Sequence, residues 1–274
     1  MRSTIPSEGA PSDRLQAGLR VTFPAMTSGL VAGLSAWQVA GIGAAGFAGA
    51  TLAAVSGFGG AAVLLPVLVA AFGPRLAVPI LTVAQLIGNG SRVWFNRRQL
   101  DYRVVGWFAL GGVPAAVLGS MLFARAPLHA LTRLIGAFLV LIVAWRRLRP
   151  QLHWRPSLQA FAGIGAVSSL LSALVGSVGP LMAPLFLAYG LVKGAYIGTE
   201  ACATVVMHVT KLIVYRQASV LPDTAIAAGL ALGPVMIAGS WVGKRIVDRI
   251  PEHVFVLIIE TTMVVAGLLF LIRG

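Results

Sequence analysis

Acidic residues are scarce in this chain of 274 residues: eight Asp and Glu stand against 21 Lys and Arg, and charged residues make up only 11%. Soluble domains carry about 25% charge, so an ordinary solvated surface is excluded. Cysteine is nearly absent as well. The single thiol, Cys202, rules out an intrachain disulfide and any cysteine-rich metal site, and it carries no information on redox compartment. There is no nucleophile elbow, metalloprotease helix or Walker loop. The stretch Gly41-Ile42-Gly43-Ala44-Ala45-Gly46 matches a dinucleotide fingerprint, but it lies inside an apolar run with no preceding strand and reads as membrane glycine. No catalytic set, cofactor or metal is expected.

Hydrocarbon is what the chain has in quantity. Hydrophobic residues make up 58% and the mean hydropathy is +0.89, which marks a polytopic membrane protein whose first partner is the lipid bilayer. The net charge of +13 is scattered between apolar runs. That is the pattern of topology-setting loops, not of a nucleic-acid interface.

Residues 1–36 contain Pro6, Pro11 and Pro24 among Ser, Gly and Arg, and read as a tail without a cleavable signal peptide. Beyond it, apolar runs bounded by charge, Pro and Gly mark ten segments: 38–56, 60–73, 76–95, 103–123, 128–147, 158–175, 180–190, 193–215, 222–243 and 251–271. Eight approach the roughly 20 residues that a membrane helix needs. The two short ones each follow a glycine-rich break, Gly57-Phe58-Gly59-Gly60 and Gly176-Ser177-Val178-Gly179.

The five-segment pattern occurs twice. Pro66 answers Pro184, Ala77 answers Ala195, Pro114 answers Pro234 and Gly119-Ser120 answers Gly239-Ser240, at offsets of 118 to 120 residues. The expected fold is therefore all-α, with a first membrane repeat at 37–147, a basic linker at 148–157 and a second repeat at 158–274. Basic loops at 92–103, 146–155 and 244–249 share the cytoplasmic side if each broken pair enters and leaves on one face. Three further crossings per half then turn the second half upside down, as an inverted repeat.

Inverted repeats with broken helices build substrate sites near the membrane midplane. A half-helix that starts after a glycine break points backbone amides and its positive dipole end at the gap, where an anion is the expected guest. The bland alternative is close helix packing, the role expected of Ala115, Gly119, Gly239 and Gly243. The following segments carry polar stripes at helical spacing: Thr82, Gln85, Asn89 and Arg92 in the first half, and Glu200, Thr204, His208 and Lys211 in the second. Thr82 and Glu200 are related by the repeat offset.

Glu200 carries the most weight, since a carboxylate in an apolar segment needs a partner, a proton or water. It reads as a proton-coupling group or as a structural hydrogen bond between helices. Lys211 either attracts an anion or snorkels to the interface beside Arg216. His208 is either packing or a group that titrates or binds substrate. Glu260 suits a partner helix or the axis of a homo-oligomer, and Cys202 reads as a core residue.

These residues resemble the TauE/SafE family of sulfite exporters, through Gly57-Phe58-Gly59-Gly60 with Pro66 and Ala77, and through Gly176-Ser177-Val178-Gly179 with Pro184 and Gly198-Thr199-Glu200-Ala201. The resemblance covers about 40–272. It implies a multi-pass inner-membrane secondary transporter for sulfite, a sulfonate or a related small organosulfur or carboxylate anion. The chain departs from the family pattern at Ser177, at Val178 and at Thr199-Glu200, where many members have Thr-Ser. A carboxylate there repels an anion unless it is protonated or paired. The competing classes are a membrane assembly partner, using the stripes for helix contacts, and an intramembrane enzyme built on Ser177 and His208.

Overall fold

The computed structural model describes residues 33–57, 60–148, 155–176 and 178–246, together with 264, 265, 268 and 270–272. The described residues form ten helices: α1 (Ala36–Ser56), α2 (Gly60–Phe72), α3 (Pro74–Asn96), α4 (Tyr102–Arg125), α5 (Leu128–Leu148), α6 (Ala160–Val175), α7 (Gly179–Tyr189), α8 (Lys193–Gln217), α9 (Asp223–Ala231) and α10 (Gly233–Ile246). No strand occurs among them. Nine of the ten expected segments are recovered within a few residues. The expected segment 251–271 lies mostly outside the described residues, as does Glu260.

Among the described residues, five spans are long and apolar enough to cross a membrane: α1, α4, most of α5, α8, and α9 with α10 taken together. Against the eight expected, α3 has the length but spends one face on its polar stripe, and α6 has only 16 residues. The segment 222–243 is two helices. They part at Leu232, before Gly233-Pro234, because proline offers no N–H and crowds the carbonyl four residues back, and a preceding glycine adds little helical bias. Pro114 has no glycine directly before it, and α4 runs through it unbroken.

Local chemistry sets the ends that matter. A capping box of Ser35 and Gln38 starts α1. Asp101 caps α4, its side chain accepting from the amides of Arg103 and Val104. Both α1 and α6 stop at a glycine in the left-handed region, Gly57 at φ 78° and Gly176 at φ 84°, which closes the last turn and frees the chain to change direction. After the first of these, α2 doubles back. A side chain at Gly49, two turns before the end of α1, would meet the Gly60 carbonyl at 2.6 Å, whereas a helix continuing straight would place those residues about 16 Å apart.

The packing brings the two expected halves together. α1 lies against α2 and α10, α6 lies against α7 and α4, and α3 packs on α8 at the centre. The first helix of each half thus grips the fourth element of the other half. Glycines make these seams close: a Cβ at Gly119 would fall 2.8 Å from the Leu170 carbonyl, and one at Gly239 would fall 2.6 Å from that of Phe47. α3 and α8 are antiparallel. At one end the Asp101 amide donates to Thr199 Oγ1 at 2.9 Å; at the other, Phe123, to which α3 reaches through Arg75, packs at a tilt against Tyr215 of α8 with ring centroids 5.1 Å apart.

Candidate functional site

The two stripes meet face to face. Thr82, Gln85, Asn89 and Arg92 on α3 and Glu200, Thr204, His208 and Lys211 on α8 are all buried. Between them lies a cavity of about 40 Å³. The first break contributes Gly57 and Gly60, flanked by Ala53 and Ala61; the second contributes Gly176, Val178 and Gly179, flanked by Ser172 and Met182. Gln85, Asn89 and Arg92 form one wall, and Glu200, Thr204, Met207 and His208 form the other. Phe58, Gly59 and Ser177 lie outside the described residues.

Arg92, counted from sequence among the loop charges, is the centre of this arrangement. Its Nη1 donates to the Ala53 carbonyl at 3.0 Å and to the Gly57 carbonyl at 3.2 Å, where α1 exposes its negative end. Its Nη2 donates to Asn89 Oδ1, and Nη1 stands 3.7 Å from Glu200 Oε2. The carboxylate that sequence reasoning left in need of a partner thus has one in the opposite half. Glu200 Oε1 accepts from Thr204 Oγ1 at 3.1 Å, while Oε2 accepts no hydrogen bond.

Thr82 and Lys211 share the faces but not the lining. Thr82 Oγ1 donates into its own helix, to the Val78 carbonyl at 2.7 Å. Lys211 does not snorkel: its side chain is fully buried, and Nζ donates to the Ser172 carbonyl at 3.0 Å and to Ser172 Oγ at 3.1 Å. Arg92 on Ala53 and Lys211 on Ser172 are repeat mates. Both pairs differ by 119 positions, as do Gly57 and Gly176. Each half therefore plants a cation on the carboxyl end of its own broken helix. That shared offset is the signal that could have picked out Arg92 beforehand.

Three polar atoms in the cavity are left over. Gln85 Nε2, His208 Nδ1 and Glu200 Oε2 are buried and have no hydrogen-bond partner, the last facing only the Arg92 guanidinium, and buried polar groups left this way normally mark a place for water or a ligand. Among the described residues around this space, two cations, Arg92 in the wall and Lys211 behind Ser172, stand against one carboxylate, Glu200. Cys202 is half-buried and takes no part in the lining.

The chain matches the family model described as sulfite exporter TauE/SafE over residues 42–270. No curated protein and no solved structure matches it. The helices and the match agree on a multi-pass protein of a membrane transporter family, and the chain belongs to the sulfite exporter TauE/SafE family.

Proposed function

We propose that this protein exports a small oxyanion across the inner membrane by secondary transport, and that sulfite is its best-fitting substrate. The observation that carries the reading is the cavity on which both glycine breaks and both polar stripes converge, with three unpartnered polar atoms, on Gln85, Glu200 and His208, beside a guanidinium. Its volume of about 40 Å³ has room for roughly three to four water-sized atoms. Sulfite has about that many non-hydrogen atoms; a sulfonate with a carbon chain has more.

In this reading Arg92 supplies the charge, and Gln85, Asn89, Thr204 and His208 supply hydrogen bonds. The amides opening α2 at Gly60 and Ala61 add their dipole, whereas α7 offers fewer because Pro180 sits in its first turn. Glu200 is neutralised either by Arg92 or by a proton. An anion that takes the guanidinium leaves the carboxylate to the proton, so anion and proton bind together. The halves 37–147 and 158–274, related as an inverted repeat through the antiparallel pair α3 and α8, rock about the site to expose it to either face. Lys211 holds the end of α6 and sets the field of the site from behind Ser172.

Sulfite flux in proteoliposomes, with and without a pH gradient, tests this. Saturable flux is expected, with a loss of about a hundredfold in Arg92→Gln, the cost of removing a charged hydrogen-bonding group from a buried site. The double variant Arg92→Gln, Glu200→Gln restores charge balance and so separates a lost substrate contact from a lost fold. Native rates in that folded double variant would refute the role given to Arg92.

A further inference from the structure

A second and larger cavity, of about 480 Å³, lies beside the first. Arg92 lies in the wall of both. The rim of the larger one is cationic and exposed, with Lys193 at the start of α8 and Lys244 near the end of α10. Its floor is buried: Arg92, Tyr196 and Ser240 are 5%, 4% and 1% exposed. Ser240 Oγ, on that floor, has no hydrogen-bond partner. Lys244 Nζ donates to the carbonyl of Phe95, which also lines this cavity. Lys193 keeps a left-handed backbone, φ 48°, a conformation uncommon for a residue other than glycine and often retained at functional positions.

Taking the anion reading of the inner cavity as its basis, we propose that this vestibule is a second anion site. It takes an organic sulfonate or carboxylate whose body is too large to pass inward. The head group sits between Lys193, Lys244 and the outer face of Arg92, with the Ser240 hydroxyl free to donate to it. The organic group lies on the apolar side of the cavity, formed by Phe95, Leu187 and Ile197. An occupant there shares Arg92 with the inner site and stands in its entrance, so it blocks the small anion without being carried. The twelvefold difference between the two volumes is what separates the transported ion from the blocker.

Benzenesulfonate is a suitable probe. Calorimetric titration of the purified full-length protein with benzenesulfonate and, separately, with sulfite gives binding without reference to transport. The variant Lys193→Gln, Lys244→Gln is expected to weaken benzenesulfonate binding about tenfold more than sulfite binding, and Ser240→Ala to weaken it in the same sense. Arg125→Gln, Arg133→Gln removes the same charge from exposed positions outside the cavity and is expected to leave benzenesulfonate binding unchanged. In proteoliposomes benzenesulfonate inhibits sulfite flux competitively and does not itself cross. Equal weakening of both ligands in the lysine variant, or benzenesulfonate crossing as fast as sulfite, overturns the second site. Lysine-dependent benzenesulfonate binding in a protein that moves no sulfite supports the second site and defeats the transport reading of the inner one.

Discussion

Replacing Glu200 with glutamine is expected to tighten anion binding and to abolish its pH dependence. The ion pair it breaks is 3.7 Å long, between side chains 6% and 4% exposed. At an effective dielectric of about 20 two unit charges at that separation attract by about 4 kcal/mol. An entering anion must draw the guanidinium partly away from Glu200, so some of that attraction opposes binding. If only a third does, the opposition is about 1.4 kcal/mol, or tenfold in affinity. Glutamine keeps the shape and retains an oxygen for the Thr204 hydroxyl. Arg92 in turn keeps Ala53, Gly57 and Asn89 as acceptors, so the variant should fold. Removing Arg92 instead strands the carboxylate and is expected to cost about 3–5 kcal/mol of stability.

The sign of the pH effect follows from the sharing of Arg92. In the native protein each anion bound brings a proton to Glu200, so affinity falls as pH rises, by up to about tenfold per unit. Chlorate is the probe of choice because it is pyramidal like sulfite yet has no proton to lose near neutrality. Its binding would be titrated between about pH 6 and pH 8 in native protein and in Glu200→Gln. The expected result is a sloping native curve and a flat, tighter one for the variant. A slope that survives in Glu200→Gln, or a weaker affinity, would refute the competition between carboxylate and anion.

Two further outcomes follow from the same geometry. Gly57→Ala should be more damaging than Gly176→Ala: both incur roughly 1–2 kcal/mol of left-handed strain, but a methyl at Gly57 falls on the Tyr196 ring, while at Gly176 it meets Leu65 and Leu81 side-chain tips at 3.3 Å. Thermal unfolding in detergent reads the difference, and equal destabilisation would count against the tight approach of Tyr196. Lys211→Met should cut sulfite flux far less than Arg92→Gln, by about tenfold at most, because its ammonium faces Ser172 and not the cavity. A loss in proteoliposome flux as deep as that of Arg92→Gln would instead place Lys211 in contact with the anion.

The fold was legible because its signals are long and repeated. Apolar runs, the two glycine breaks and the paired prolines place nine helical segments within a few residues, and they do so because membrane helices must satisfy their backbone internally wherever the hydrocarbon lies. The same rule hid the split between α9 and α10. Pro114 and Pro234 look alike as repeat mates, and only the glycine immediately before Pro234 turns a tolerated proline into a helix end.

Arg92 shows why the site was less legible than the fold. Five positions before Arg97 and six before Arg98, it sits among charges that a topology argument assigns to the loop, and Arg97 does stay exposed, bonding no farther than Trp94. What separates the two residues is direction: helical side chains lean toward the amino terminus, so Arg92, on the inward stripe, reaches back into the protein while Arg97 lies past the last turn. The stripe spacing of Thr82, Gln85, Asn89 and Arg92 already contained that direction, and Lys211, 119 positions on, is buried in the same way. Loop proximity says where a charge can go, but face and repeat register say where it is aimed. In a protein with eight acidic residues against 21 basic ones, the cation worth finding is the one whose stripe faces a carboxylate's stripe, and that of Arg92 on α3 faces that of Glu200 on α8.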